Sequence, residues 1–521
     1  MKSGRNGRKK IVAILFATVI ITSAFAVAPA AAQESALEKI MDVKFSQDSY
    51  YRLYNIYWGV YNDVTTDANN DIIVAGQGGN WWLSNFWVAK YDPVGNLLWI
   101  DHSHKGGVDD DAAAVDVDSN GNIIAAGGGR IAYYPDIFRG LLYKYSPTGS
   151  ILWNINGPYG TVFSAVGIDN NNNVIVGGEL VNNAIYLAKY SGNGEILFEK
   201  IIDLGARPEA VGGVTTDKSG NIITVGYTQS IGAGGSDFWM AKYDSNGNEI
   251  WNRTFGGLND DGANVVTVDD AGNIYVSGVT LSFGAGREDI QLLKLDPNGN
   301  IIWNKTAGGS GRDWMWRGLE LDKYENLVIV GSTKSFGAGG YDLWLLIYDK
   351  NGNQLANMTD GGSFGDTGHS AAINKDGEIV AVGKANDPNP EWYWNGDLWI
   401  TKYKFRPPII IVDIDIKPGS FPNAINPASK GVIPVAILTN ETFDASSVDP
   451  TTVKFGRTGT EASPVQWTME DVDYDGDLDM ILHFKTQETG IQPGDIEAKL
   501  TGKTLKDISI EGTDSIKTVP K

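Results

Sequence analysis

The densest run of chemistry-bearing side chains in this 521-residue chain is Asp471-Val-Asp-Tyr-Asp-Gly-Asp-Leu-Asp479. Carboxylates on Asp471, Asp473, Asp475, Asp477 and Asp479 alternate along it. Like charges this close repel one another unless a cation neutralises them, and an all-oxygen cage suits the hard cation calcium. Asp471, Asp473 and Asp475 take positions 1, 3 and 5 of such a loop, Gly476 supplies the sharp turn, and Asp479 takes position 9. Position 12 is Leu482, so the Glu that closes an EF-hand is missing. Calcium is the expected cofactor, set against a solvated acidic turn.

Other carboxylates recur. Asp261, Asp313 and Asp366 precede one strand of successive repeats, with Asp109 to Asp111 nearby in an earlier copy. Asp237, Asp289, Asp342 and Asp397 precede another. Two such groups could act as acid and base on a glycoside, but a catalytic pair is asymmetric. Repetition in copy after copy favours carboxylates that bond loop amides. Histidine offers little: His102 and His104 with Asp101 form a weak metal-ligand pattern, and His369 and His483 stand alone. Nucleophile elbows, phosphate-binding loops and His-Glu-x-x-His are missing, so no catalytic residues are assigned.

Aromatic residues gather in the segments of irregular length: Trp81 and Trp82, Tyr133 and Tyr134, Trp314 and Trp316, and Trp392, Tyr393 and Trp394. Exposed, they would stack on sugar rings or anchor a protein partner. Buried, they would only pack loops over the scaffold. They are the candidate ligand-binding residues.

The elements that must position these groups are strands. A block of about fifty residues recurs seven times, marked by Asp67, Asp118, Asp169, Asp217, Asp269, Asp322 and Asn374. A second landmark follows each: Lys90, Lys144, Lys189, Lys242, Lys294, Ile347 and Lys402. This period, with no helical pattern, predicts propeller blades of four strands. Two turns per repeat share the form Asp-x-x-Gly-Asn, as in Asp269 to Asn273 and Asp296 to Asn300. In an up-and-down blade both lie on one face, and the variable loops collect on the other, where binding residues usually sit. Six copies end in an outer strand such as Gly299-Asn-Ile-Ile-Trp303, but the seventh stops at Phe405. Lys39 to Phe45 is an orphan strand, predicted to complete the last blade and remove an open edge.

The segment Gly256-Gly-Leu-Asn-Asp-Asp-Gly-Ala-Asn-Val-Val-Thr-Val-Asp-Asp-Ala-Gly-Asn-Ile-Tyr-Val-Ser-Gly278 resembles the SBBP-type β-propeller repeat of secreted archaeal and bacterial proteins. The phrases Ser335-Phe-Gly-Ala-Gly-Gly340 and Trp303-Asn-Lys-Thr306 carry the same likeness. The resemblance spans roughly residues 40 to 405 and implies a fold rather than an activity. Asp415-Ile-Lys-Pro-Gly-Ser-Phe-Pro-Asn423 with Lys430-Gly-Val-Ile-Pro-Val-Ala-Ile-Leu438 resembles an accessory domain of secreted prokaryotic proteins. The acidic run within that domain is similar to the short calcium loops of dockerins and integrin-type propellers.

The expected fold class is therefore all-β, a seven-bladed β-propeller followed by a small β-sandwich. The expected domains are a signal peptide at 1–32, the propeller at 33–405, a linker at 406–409 and the sandwich at 410–521. Five basic residues, an apolar run from Ile11 to Val27 and Ala-Pro-Ala-Ala-Ala-Gln33 read as an export signal, with an uncleaved anchor as the alternative. The location expected is secreted or extracellular, with cell-surface association left open, and with no membrane span after the signal. The chain has no cysteine, which excludes disulfides, thiol nucleophiles and a lipidated anchor. Net charge is −21, or about −26 once the five basic leader residues are gone, which argues against nucleic acid. The reading that follows is a non-enzymatic binding protein for an extracellular glycan or surface protein. An extracellular glycan hydrolase or lyase with axial carboxylates, and a structural surface-layer component, are the alternatives.

Overall fold

The computed structural model describes residues 36–46, 58–80, 83–103, 109–133, 136–388 and 396–519. Each repeat folds into four antiparallel strands because its turns leave little choice. At Asp269 the side chain accepts from the amides of Ala271 (3.0 Å) and Asn273 (2.8 Å) and from the Asn273 amide group (2.8 Å). Gly272 sits at φ 85° in the left-handed region, where a residue without Cβ is unstrained. The strands on either side are Asp261–Val268 and Ile274–Thr280, followed by Asp289–Leu295 and Ile301–Ala307.

Five four-stranded sheets follow one another and then one eight-stranded sheet, in which the sixth and seventh blades are joined by a parallel bridge between Arg317 and Ser370. The inner strand of each blade packs on the next, the seventh meeting the first. The fold is a β-propeller. Its apolar core is divided into seven layers, one between each pair of blades. Tyr61, Trp87 and Tyr91 of the first blade, for example, pack on Val380, Val382 and Ile400 of the seventh. Leu37–Phe45 pairs antiparallel with Asp397–Phe405, from Leu37 opposite Phe405 to Phe45 opposite Leu398. The seventh blade thus takes its outer strand from the start of the described chain.

In the first four blades the two landmarks of the repeat are bonded to each other, whereas Lys294 of the fifth donates to the Lys350 carbonyl at 2.9 Å. Buried Lys90, Lys144, Lys189 and Lys242 reach Asp67, Asp118, Asp169 and Asp217 at 2.8, 2.8, 2.9 and 3.0 Å. In the seventh blade Asn374 replaces the aspartate, and Lys402 pairs with Glu378 at 3.2 Å. In the sixth, Ile347 replaces the lysine.

Residues beyond 409 form two four-stranded sheets. One contains Ile410–Ile411, Ser509–Ser515, Glu497–Thr504 and Val448–Gly456, and the other Ile414–Ile416, Val432–Ile437, Asp479–Lys485 and Pro464–Glu470. Ile416, Val435, Phe455, Leu482, Phe484 and Leu500 fill the space between them, giving a β-sandwich. It meets the tight turn of the sixth blade through Lys323 with Asp507 (3.2 Å) and Lys506 with Glu325 (2.8 Å). The sandwich therefore meets the propeller on the regular face, at the tight turn of the sixth blade. Among the described residues, no helix is long and apolar enough to cross a membrane.

Candidate functional site

The inner strands surround an axial cavity of about 210 Å³ to which all seven blades contribute. Each inner strand carries a bulge at the same level. In blades one to five a single extra residue is inserted, as between Tyr61 and Asp63 or Ala263 and Val265. A bulge re-aims the side chain it carries. Here several bulge side chains bond a neighbouring blade: Asn62 donates to the Ala112 carbonyl (3.0 Å), Ser164 to Val211 (2.6 Å) and Asn264 to Met315 (2.6 Å). His369 does so in blade seven, its Nδ1 donating to the Tyr61 carbonyl at 2.8 Å. With Nδ1 protonated, Nε2 is the acceptor for the Thr367 hydroxyl at 3.0 Å. Burial pushes this imidazole down to about 4, so it is neutral at pH 7.

The sixth blade breaks the pattern. Its bulge runs from Trp314 to Gly318 against only two steps on the partner strand, so it holds two extra residues. The enlargement aims Trp316 and Arg317 at the axis. Arg317 spans the channel and donates to the Ser164 carbonyl of the third blade. Trp316 is 40% exposed, and one face of its indole is stacked on His369 at 5.6 Å and 18°. Trp316, Arg317, Asn264 and Gly212 line a second cavity of about 230 Å³, the mouth of the channel toward the loop face.

Beyond Arg317 the cavity is acidic. Asp63, Asp116 and Glu320 line it. Asp63 is engaged, accepting from the Val115 amide (3.0 Å) and the Ser370 hydroxyl (2.7 Å). Burial, with the charges of Asp116 and Asp63 added, pushes Glu320 up to about 8. Burial likewise raises Asp116 to about 7, and Asp111, held by the Asn62 amide at 2.7 Å, to about 6. The inner strands contain a signal for these groups. Two residues before the turn aspartate, the other blades carry Thr65, Gly167, Thr215, Thr267 and Ala372, whereas blades two and six carry Asp116 and Glu320. Aligning the inner strands by their turns, rather than seeking residues that recur, would have singled them out.

The candidate aromatics fare unequally. Trp81, Trp82, Tyr134, Trp392, Tyr393 and Trp394 lie outside the described residues, as does His104, and for Tyr133 only the backbone strand Ile123–Tyr133 is described. Trp314 is not a ligand platform. It is 6% exposed, covered by Trp316, Tyr341 and His369, because it precedes the bulge and still points into the blade stack. Trp316 is the candidate with an open face.

The recurrent carboxylates clamp loops. Asp261 accepts from the Gly257 and Leu281 amides (2.7 and 3.2 Å) and the Thr280 hydroxyl (2.5 Å). Asp237, Asp289 and Asp342 accept from Ala233, Ala285 and Ala338 at 2.8, 2.7 and 2.9 Å. Asp261 thus holds the loop that joins two blades, and Asp237, Asp289 and Asp342 each hold the Gly-rich loop between the second and third strands of one blade, which explains the repetition.

In the sandwich, Asp471, Asp473 and Asp479 each present an oxygen within 4.8 Å of the others. Asp479 is fully buried and accepts from Thr439 (2.9 Å) and Val472 (3.0 Å) through its two oxygens. The loop does not bring Asp475 and Asp477 into that group, and Asp475 instead accepts from the Asp477 amide at 3.1 Å. One buried oxygen each of Asp471 and Asp477 meets no donor. Oxygens without donors beside converging carboxylates fit a calcium ion.

No protein-family model matches the sequence, and no curated protein matches it. Among solved structures, a protein of unknown function from Bacteroides caccae is 16% identical, covering 57% of this chain and 97% of its own, with a TM-score of 0.37. One of unknown function from Dyadobacter fermentans is 13% identical over 71% of this chain and 100% of its own, with a TM-score of 0.41. The Pan2 WD40 domain of Neurospora crassa is 10% identical over 70% and 95%, with a TM-score of 0.45. These likenesses are weak, and no function follows from them.

Proposed function

We propose that this chain is an exported, non-enzymatic binding protein of the SBBP-repeat type, recognising a carbohydrate at the loop-face mouth of its axial channel. The single observation that carries the reading is Trp316. The one enlarged bulge of the propeller holds this indole half-open beside hydrogen-bonding groups on Arg317 and Asn264. A flat apolar ring with polar groups at its rim is the chemistry that holds a pyranose, whose C–H face stacks while its hydroxyls bond. The C-terminal sandwich, with calcium in its acidic loop, serves as the attachment or spacing module. Its seat on the tight-turn face is compatible with holding the loop face outward.

The test is a glycan array with the intact protein and its Trp316→Ala variant. Binding to at least one glycan class, weakened about 10- to 100-fold in the variant, is the expected result. Loss of the whole platform would be read directly, because Trp316 is not part of a blade core. Array-wide silence would sink the reading.

The unrepeated axial carboxylates favour a second reading, an extracellular glycan hydrolase with Asp116 and Glu320 as acid and base. Their register argues against it. Both lie two residues from the tight turns, beyond the Arg317 side chain that crosses the channel, out of line with a sugar stacked on Trp316. Release of reducing sugar from any arrayed glycan, abolished in Glu320→Gln, would restore this reading.

A further inference from the structure

The bulges of the inner strands form a ring at the mouth of the channel, and that ring carries a charge at one blade. Outside the sixth blade the bulge residues are Asn62, Ala113, Ser164, Gly212, Asn264 and His369. They are amides, a hydroxyl, small residues and an imidazole that burial keeps neutral at pH 7. The sixth blade puts Trp316 and Arg317 into the same ring. These two line the mouth cavity of about 230 Å³ together with Asn264 and Gly212. Among the described residues the mouth therefore holds a cation and no carboxylate, in a chain of net charge −21.

The guanidinium of Arg317 is not spent on the scaffold. It carries several N–H donors, and among the described residues the acceptor it meets is the neutral Ser164 carbonyl. The carboxylates that feel its charge are bonded to other groups. Asp111 accepts from the Asn62 amide (2.7 Å), and Asp63 from the Val115 amide (3.0 Å) and the Ser370 hydroxyl (2.7 Å). The scaffold cations are the contrast: Lys144, Lys189 and Lys242 each rest on a turn aspartate, at 2.8, 2.9 and 3.0 Å. Arg317 is anchored at one nitrogen by a neutral group, which fixes its planar fork and leaves the other donors for a ligand.

We propose that the loop-face ligand is an acidic glycan, a uronate whose ring stacks on Trp316 and whose carboxylate pairs with Arg317. The inference rests on the carbohydrate reading and adds its chemical class. A uronate bears its carboxylate on the carbon next to the ring oxygen, at the edge of the ring. A pyranose lying on the indole brings that group out beside the ring, where the next residue of the same bulge stands. Guanidinium and carboxylate match as two parallel N–H···O bonds. Because Arg317 is already held in place, little of its freedom is lost on binding.

The test titrates the intact protein with oligogalacturonate, mannuronate oligomers and hyaluronan oligomers, each against its methyl ester. Wild type is expected to bind at least one of these acids about tenfold or more tightly than its ester, the worth of a charge-assisted pair. Arg317→Gln should bind acid and ester alike. Arg317→Lys keeps the charge and loses the fork, so it should show a smaller preference than wild type; it decides the matter if the Gln variant does not fold. Equal wild-type affinity for every acid and its ester, or an unchanged preference in either variant, overturns the proposal. Binding of neutral glycans that is lost in Trp316→Ala, with no gain for acids, overturns the acidic class and leaves the carbohydrate reading standing. Silence toward acidic and neutral glycans alike overturns both.

Discussion

Calcium will raise the melting temperature of the metal-free protein, and chelation will reverse the gain. With calcium at 100 to 1,000 times its Kd the stabilisation is about 3–4 kcal/mol, roughly 10 °C or more for a domain of this size. The physical basis is local. Asp471, Asp473 and Asp479 converge within 4.8 Å, and buried oxygens on Asp471 and Asp477 find no donor. Without a cation that arrangement is held by the two amides that bond Asp479 and by the Asp475 and Asp477 amides, which bond Asp473 and Asp475. Two variants separate metal binding from folding. Asp473 is exposed, so Asp473→Asn should abolish the calcium response and leave the metal-free melting point nearly unchanged. Asp479→Asn should lose about 1–3 kcal/mol even without calcium, because its new amide group faces a backbone N–H that had an acceptor. A calorimetric scan with no difference between calcium and chelator would remove the calcium site.

Glu320→Gln will stabilise the protein at pH 8 and leave it nearly unchanged at pH 4. Glu320 and Asp116 are raised to about 8 and about 7 in the folded state, from 4.5 and 3.8. Between the two sets of values the folded chain holds more protons than the unfolded one, so stability falls as pH rises. The loss begins near pH 4 and is complete above about pH 8. Glu320 alone accounts for on the order of 2–4 kcal/mol of it, trimmed by the solvent that reaches the cavity. Gln has nearly the same shape and no charge, so the variant should lose about half of this alkaline-side slope, the rest belonging to Asp116. The acid side belongs to other groups. Asp118, Asp169 and Asp217, each held low by hydrogen bonds from the turn and from Lys144, Lys189 and Lys242 respectively, stabilise the fold above their unfolded values. That contribution is lost as pH falls below about 4. Urea titrations of both proteins from pH 4 to 8.5 measure the difference directly. Parallel curves would show that Glu320 ionises freely in the channel.

Much of the architecture was legible because it is encoded locally. Asp269 to Asn273 closes its own turn through bonds that span four residues, so the motif and the hairpin are nearly the same statement. The lysine landmark was equally visible, although its bond to the turn aspartate, some 23 residues away in the first blade, was not. The candidate site was far less legible. Trp314 and Trp316 look alike in sequence, yet one is packed beneath the other. The width of the sixth bulge depends on pairing with Val330 and Ser332, which no local pattern reports.

The sequence by itself determined the repeat, its turn chemistry, the regular and irregular faces and the acidic loop, because each follows from side chains a few residues apart. Only the tertiary structure decided which aromatic stays open and which carboxylates share the axis. Those outcomes depend on groups brought together from different blades, and burial and the neighbouring charges, rather than residue type, set what each can do.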